Sequence, residues 1–209
     1  MVLKPQKIVT PIGTSHWCAL NPESPDTKFG SKWYVDLIVP KKSMKDFMEQ
    51  AKSFLEQARS EFGKKKKVNP LPVKPHLDED GNETDSVIIK CKLIAEGQKK
   101  DGGTYTNKLR LIDCDKKPFF PTDTIGMGTK MRVALNMSPY DVQGVGVTFK
   151  ISTVQIIDVN YYEGSADVDE FDIEEGNTST EDDMSVKSND LNVDAVSNTS
   201  EEEEVTFNF

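Results

Sequence analysis

Lysine and arginine residues alternate with apolar residues in four segments of the chain. The apolar residues repeat every second position, as in a strand with one buried face, which directs the charged side chains to the opposite face. The basic residues in this arrangement are Lys90, Lys92, Lys108, Arg110, Lys130, Arg132 and Lys150. Because cations gathered on adjacent strands can neutralise a series of phosphates, the pattern predicts one basic, nucleic-acid-binding surface.

Tyrosines accompany these cations. Tyr34, Tyr105 and Tyr140 are expected near the basic surface or at its edges, where bases could stack on their rings while lysines follow the phosphates. We include three further lysines in the predicted surface: Lys32, Lys99 and Lys100. The exterior of a β-barrel is normally charged, but the body of the chain has 19 acidic residues that could occupy these positions. The nearly uniform positive sign therefore favours a binding surface over a merely solvated one.

Charge divides the chain into two parts. Residues 1–162 contain 25 Lys and Arg against 19 Asp and Glu, whereas residues 163–209 contain 1 against 16, and together they give the net charge of −9. The second part has no apolar periodicity and cannot bury enough apolar surface to offset its ordering entropy. We therefore predict a folded domain over 1–162 and a disordered acidic tail over 163–209.

Apolar periodicity predicts a mainly β domain. Strands are expected over 12–20, 32–39, 86–96, 105–113, 130–137 and 145–159, the last broken by a bulge, with hairpin connections at 97–103 and 139–144. The apolar phase of Trp17 and Trp33 favours a place in the core over a role as platforms for stacked bases. This pattern favours an antiparallel five-stranded barrel of the OB type with one inserted α-helix, and a β-sandwich is the competing architecture.

The inserted helix is expected over about 44–62, where apolar residues recur at helical spacing. Ser43 is expected to cap its first turn, and Gly63 suits the left-handed position after its last turn. The run of lysines at 64–67 and the prolines up to Pro75 predict a surface loop.

Signals for catalysis are weak. The only histidines are His16 and His76, no Cys-x-x-Cys pair is present, and no phosphate-binding loop is recognisable, so we predict a non-enzymatic protein without metal or cofactor. Cys18, Cys91 and Cys114 are odd in number and widely spaced, which is typical of reduced thiols. With no apolar stretch of about 20 residues, the expectation is a soluble, cytoplasmic protein without a membrane partner.

Several segments resemble one family in the same order. They are Gly13-Thr14, the segment from Phe29 to Pro40 that leads into the helix, Ser138-Pro139-Tyr140 before a long final strand, and the acidic tail that ends in Phe209. Over nearly the whole chain the sequence resembles the single-stranded DNA-binding proteins of short-tailed lytic bacteriophages. The resemblance implies an OB-fold, a homodimer, and sequence-tolerant binding of single-stranded DNA in phage DNA replication, recombination and repair, in the host cell cytoplasm.

The resemblance also implies that the tail recruits the replicative DNA polymerase and the helicase-primase. The tail residues expected to bind partners are Glu201, Glu202, Glu203, Glu204, Phe207 and Phe209. We hypothesise that the acidic tail occupies the basic surface in the absence of DNA, and that DNA binding frees it for a partner.

Two other classes of function remain open from the sequence. The chain could be a non-enzymatic interaction protein whose acidic tail binds a basic client or mimics DNA, with the body as its scaffold. A nuclease ranks third, because it would need clustered carboxylates that bind Mg²⁺ inside the barrel, where the predicted inward residues are apolar.

Overall fold

The computed structural model describes residues 3–28, 30–99 and 102–162. In chain order its strands are β1 (Gln6–Val9), β2 (Gly13–Ala19), β3 (Lys32–Pro40), β4 (Val73–Leu77), β5 (Glu83–Ile94), β6 (Glu96–Gln98), β7 (Thr104–Thr106), β8 (Leu111–Ile112), β9 (Lys130–Asp141) and β10 (Val145–Asp158). A 3-10 helix (Lys41–Ser43) and the helix α1 (Lys45–Phe62) lie between β3 and β4. The predicted tail lies outside the described residues, so the division into two domains stays a prediction.

Five strands close into a barrel in the order β9, β2, β3, β5, β10 and back to β9. All neighbours in this ring are antiparallel except β5 and β10, which run parallel where Lys92 lies beside Lys150. The remaining strands add to the ring: β1 pairs with β9, β4 with β5, and β8 with β10, while β6 and β7 form a separate hairpin. This arrangement confirms the predicted mainly β barrel of the OB type with one inserted helix.

The barrel interior is filled by the alternating apolar residues of its strands. The buried residues at the predicted inward positions are Trp33, Val35, Leu37, Val39, Ile89, Cys91, Met131, Val133, Leu135, Met137, Val147, Phe149 and Ile151. Because successive side chains of a strand point to opposite faces, burial of this set directs the interleaved lysines outward. The register of β10 against β9 shifts after Ile151 and again after Ile156, which confirms an irregularity in the last strand.

Helix α1 packs against the barrel through one apolar face. Its buried residues are Phe47, Ala51, Phe54 and Ala58, and the Phe47 ring meets Phe149 of β10 edge-on at a centroid distance of 5.5 Å. The helix was therefore predicted correctly from its periodicity.

The expected cap of α1 by Ser43 is wrong. The chain leaves β3 through the 3-10 turn, so Ser43 already has a helical neighbour on each side and Met44 takes the capping position without a side-chain hydrogen bond. At the C-terminal end of α1, Gly63 has the positive φ expected of it, 121°, and its N–H donates to the Arg59 carbonyl. Its ψ of 120°, however, lies outside the left-handed helical region.

The single strand predicted over 105–113 is also wrong. The segment divides into β7, which pairs with β6, and β8, which pairs in parallel with β10. Asn107 causes the interruption: its backbone N–H donates to the Ala95 carbonyl and its side-chain amide donates to the Ile94 carbonyl, both at 2.7 Å. These bonds tie residue 107 to the end of β5 and remove it from a regular ladder.

Part of the predicted loop after α1 is a strand. β4 forms an edge beside β5, and Pro75 is tolerated there because an edge strand need not donate on its open side. Within the described ranges, no helix combines the length and the apolar character needed to cross a membrane.

Candidate nucleic-acid interface

A groove composed of two cavities runs across the outside of the barrel. The first, here called the aromatic cavity, has a volume of about 660 Å³ and is lined chiefly by Trp17, Asp26, Lys28, Lys32, Tyr34, Asp36, Lys90, Lys92, Tyr140 and Thr148. The second, here called the lysine cavity, has a volume of about 510 Å³ and is lined chiefly by Lys92, Tyr105, Asn107, Lys108, Asn136, Thr148 and Lys150. Lys92 and Thr148 line both cavities, so the two are continuous.

Strand register forms the floor of the groove. Tyr34 of β3 lies opposite Lys92 of β5, Lys92 lies beside Lys150 of β10, and Lys150 lies opposite Asn136 of β9. With neighbouring strands about 4.8 Å apart, these four residues form one transverse line of about 14 Å. Four segments that are distant in sequence thus contribute to one polar surface.

The centre of this line concentrates positive charge. Lys92 and Lys150 are exposed neighbours of like sign, an arrangement that destabilises a sheet. Neither has an ion-pair partner among the described residues, and the lining of the lysine cavity contains no carboxylate. An anionic ligand would remove the repulsion, so the electrostatics of the cavity favour phosphate.

Trp17 lies in the aromatic cavity, and the prediction that it belongs to the core is wrong. It is 59% exposed, whereas Trp33 is only 3% exposed, as predicted, and donates its indole N–H to the Asn21 carbonyl. A bulge in β2 explains the difference. Ser15 pairs with the inward Leu37, but the register shifts by one residue at His16, so that Trp17 pairs with the outward-facing Asp36.

Two tyrosine rings lie over glycines on the neighbouring strand. Tyr140 is opposite Gly146 in the β9–β10 pair, and Tyr105 is opposite Gly97 in the β6–β7 hairpin. In each pair a Cβ on the glycine would overlap the tyrosine ring. The missing side chain therefore lets each ring lie close against the backbone, which orients it as a platform on which a base can stack.

The aromatic cavity also contains negative charge. Asp36 forms an ion pair with Lys90 at 3.9 Å, and Asp26 also lines the cavity. Burial, and then the neighbouring Asp26, Cys18 and Asp36, raise the pKa of Tyr34, which favours its neutral hydroxyl. The ammonium of Lys32 lies 5.7 Å from the centre of the Tyr34 ring, within cation–π range.

The structure brings together eight of the thirteen residues predicted for DNA contact. The eight that line the groove are Lys32, Tyr34, Lys90, Lys92, Tyr105, Lys108, Tyr140 and Lys150. Sequence reasoning missed Trp17, Lys28, Asn107 and Asn136. The bulge that exposes Trp17 leaves no clear sign in the sequence, whereas Asn136 could have been found because it shares the outward phase of Arg132.

The other predicted residues lie away from the two cavities. Arg110 lines a separate apolar depression beside Phe120. Lys130 and Arg132 are exposed on β9, but Lys130 is six residues from Asn136, roughly 20 Å along a strand. Lys99 lies in the turn between β6 and β7, and Lys100 lies outside the described residues. None of these described residues lines either cavity, so the expectation that all the basic pairs form one binding surface stays a prediction.

The described residues contain no cluster of three or more His, Cys, Asp or Glu side chains that could hold a metal ion.

The Cys91 thiol is buried in the barrel, and burial raises its pKa. Cys91 therefore belongs to the core of the barrel.

The structures of two phage proteins share this architecture. The crystal structure of gp2.5, a single-stranded DNA-binding protein encoded by bacteriophage T7, superimposes with a TM-score of 0.59 and 21% identity, covering 84% of this chain and all of that one. The single-stranded DNA-binding protein from bacteriophage Enc34, in complex with single-stranded DNA, gives a TM-score of 0.54 and 12% identity over 76% of this chain and 89% of that one. No protein-family model and no curated protein matches the sequence. The chain has the fold of these phage single-stranded DNA-binding proteins.

Proposed function

We propose that this protein is a non-enzymatic, sequence-tolerant binder of single-stranded DNA that serves phage DNA replication, recombination and repair in the host cytoplasm. The observation that carries the proposal is the pair formed by Lys92 and Lys150, which lie side by side without an acidic partner among the described residues. Aromatic rings lie on both sides of this pair, with the exposed Trp17 and the half-buried Tyr140 in one cavity and the exposed Tyr105 in the other. Lysines that hold phosphates between rings that stack on bases are the usual parts of a single-strand groove.

The two types of contact have separate energetic roles. Each stacked base contributes about 1–3 kcal/mol, and each neutralised phosphate adds about −0.7 to the slope of log affinity against log salt. Because the rings need base faces that a duplex keeps stacked, the groove should prefer single strands to duplex DNA. Sequence tolerance follows because every base offers a face for stacking.

The test is fluorescence anisotropy of the full chain with labelled single-stranded DNA, over a salt series and with unlabelled duplex as competitor. Strong salt dependence and resistance to the duplex would support the proposal. A protein that ignores single strands over the whole salt series would contradict it and would promote the alternative of an interaction protein with an acidic tail.

We propose in addition that the acidic tail recruits the replicative polymerase and the helicase-primase, and that the protein is a homodimer. The support is the sequence of the tail, which combines Glu201–Glu204 with two terminal aromatic residues, Phe207 and Phe209. Deleting Phe207–Phe209 should leave DNA affinity nearly unchanged and abolish polymerase binding in a pull-down. Unchanged polymerase binding would refute this role, and sedimentation equilibrium would test the dimer.

A further inference from the structure

The two cavities of the groove differ in one respect that a purely phosphate-binding surface does not require. The aromatic cavity contains two carboxylates, Asp26 and Asp36, whereas the lining of the lysine cavity contains none. A carboxylate repels phosphate, but it accepts hydrogen bonds from the N–H groups of a base. The position of the carboxylates therefore indicates where a base edge, rather than the backbone of the strand, would lie.

Asp36 is the better placed of the two. It is directly opposite the exposed Trp17 on β2 and directly opposite Lys90 on β5. Its side chain is 20% exposed, so it is accessible from the cavity. The backbones of Trp17 and Asp36 are about one strand spacing (~4.8 Å) apart, so the edge of a base stacked on the indole of Trp17 would face the Asp36 carboxylate.

The carboxylate of Asp36 also has acceptor capacity to spare. Its contact with the Lys90 ammonium is 3.9 Å, too long for a hydrogen bond, and it accepts none from the other described residues. Asp26 differs, because one of its oxygens accepts the backbone N–H of Lys28 at 2.9 Å. A carboxylate whose oxygens accept no hydrogen bond from the described residues matches a ligand that offers two parallel donors.

Of the four bases, guanine presents two adjacent donors, N1–H and the N2 amino group, on its pairing edge. Cytosine and adenine each present one amino group there, and thymine presents a single N–H between two carbonyl oxygens, which a carboxylate repels. We propose that Asp36 makes the aromatic cavity a guanine-preferring base pocket within an otherwise sequence-tolerant groove. This inference rests on the proposed single-strand binding, and it makes Asp36 a specificity-determining residue.

The experiment uses the full chain and labelled thymine tracts of about eight nucleotides, a length within the ~4–16 nucleotides that OB folds cover. One central thymine is replaced by guanine, by hypoxanthine, which lacks the N2 amino group, or by 7-deazaguanine, which keeps the pairing edge and lacks N7. We expect the protein to bind the guanine and 7-deazaguanine tracts about fivefold more tightly than the all-thymine tract, because a good bidentate contact discriminates by about that factor or more. Its affinity for the hypoxanthine tract should lie between those for the guanine and all-thymine tracts.

Asp36→Asn should abolish the guanine preference, so that the guanine tract and the all-thymine tract bind the variant with equal affinity. The matched control is Asp158→Asn, which makes the same change at an exposed position opposite Lys130 on β9, and it should keep the preference.

Three results would overturn the inference while leaving the proposed function in place. They are equal affinity for all four tracts, a preference that survives Asp36→Asn, and a preference lost with 7-deazaguanine, which would assign it to a lysine that reads N7. Failure of the wild-type protein to bind any tract, in contrast, would contradict the proposed function itself.

Discussion

The aromatic cavity and the lysine cavity share a border but differ in chemistry. The aromatic cavity has Trp17, Tyr34 and Tyr140 on its walls and mixes lysines with carboxylates, whereas the lysine cavity joins one tyrosine to lysines and asparagines. Since rings bind bases and uncompensated cations bind phosphates, the comparison assigns base contacts mainly to the first cavity and backbone contacts mainly to the second. Affinity and base preference should therefore respond to different substitutions.

The largest effect is expected from the lysine cavity. Reversing both central charges, Lys92→Glu with Lys150→Glu, should weaken binding roughly a hundredfold at ~0.1 M salt for every DNA sequence, and should make the salt slope shallower by about 1.4 for the two lost phosphate contacts. Anisotropy over a salt series measures both quantities. An unchanged slope would mean that these lysines do not contact phosphates and would remove the basis of the comparison.

Removing the ring of Trp17 should have the next largest effect. Trp17→Ala is expected to weaken binding about tenfold through loss of one stacked base, with the salt slope unchanged. Phe120→Ala is the matched control, because Phe120 is 80% exposed and lines a depression away from the groove. Equal losses in the two variants would show that exposed aromatic surface in general, not this cavity, sets the affinity.

A smaller effect should follow from tilting a ring without removing it. Gly146→Val places a side chain beneath Tyr140 and should weaken binding about threefold, since the ring can no longer lie against β10. Thermal unfolding must be followed in parallel, because the substitution also alters the β9–β10 ladder. If Tyr140→Ala alone binds normally, the ring does not act as a platform and the Gly146 result has another origin.

Lys130→Glu should change affinity less than about twofold, because Lys130 lies beyond the groove on β9. It carries the same charge reversal as Lys92→Glu, so the pair of single variants separates groove position from total charge. A loss as large as that of Lys92→Glu would extend the binding surface along β9, as the sequence pattern suggests.

The smallest expected effect concerns the titration of Tyr34 in the aromatic cavity. Because burial and then Asp26 raise the pKa of Tyr34, its phenol should ionise above the ordinary range for tyrosine, and Asp26→Asn should move the midpoint back down. The difference in absorbance titration between wild type and Tyr34→Phe isolates this one phenol. A midpoint unaffected by Asp26→Asn would show that the carboxylate does not face the ring in solution.

Local periodicity predicted the facing of most side chains correctly. The inward set on β3, β5, β9 and β10 was identified because alternation of apolar residues is a property of a single strand and needs no partner. The helix was found for the same reason, from a 3.6-residue period over 18 residues. The cap at Ser43 failed because the 3-10 turn before α1 depends on how β3 leaves the barrel.

The sequence by itself determined that lysines lie outside and aliphatic residues inside, since both follow from the spacing along one strand. Only the tertiary structure decided which outward residues meet. Barrel closure put Lys92 of β5 beside Lys150 of β10 and left Lys130 elsewhere, and the register shift at His16 moved Trp17 from the predicted core to the aromatic cavity. The physical reason is that register and closure depend on pairing between distant segments, and one inserted residue reverses the face of every residue that follows it in the strand.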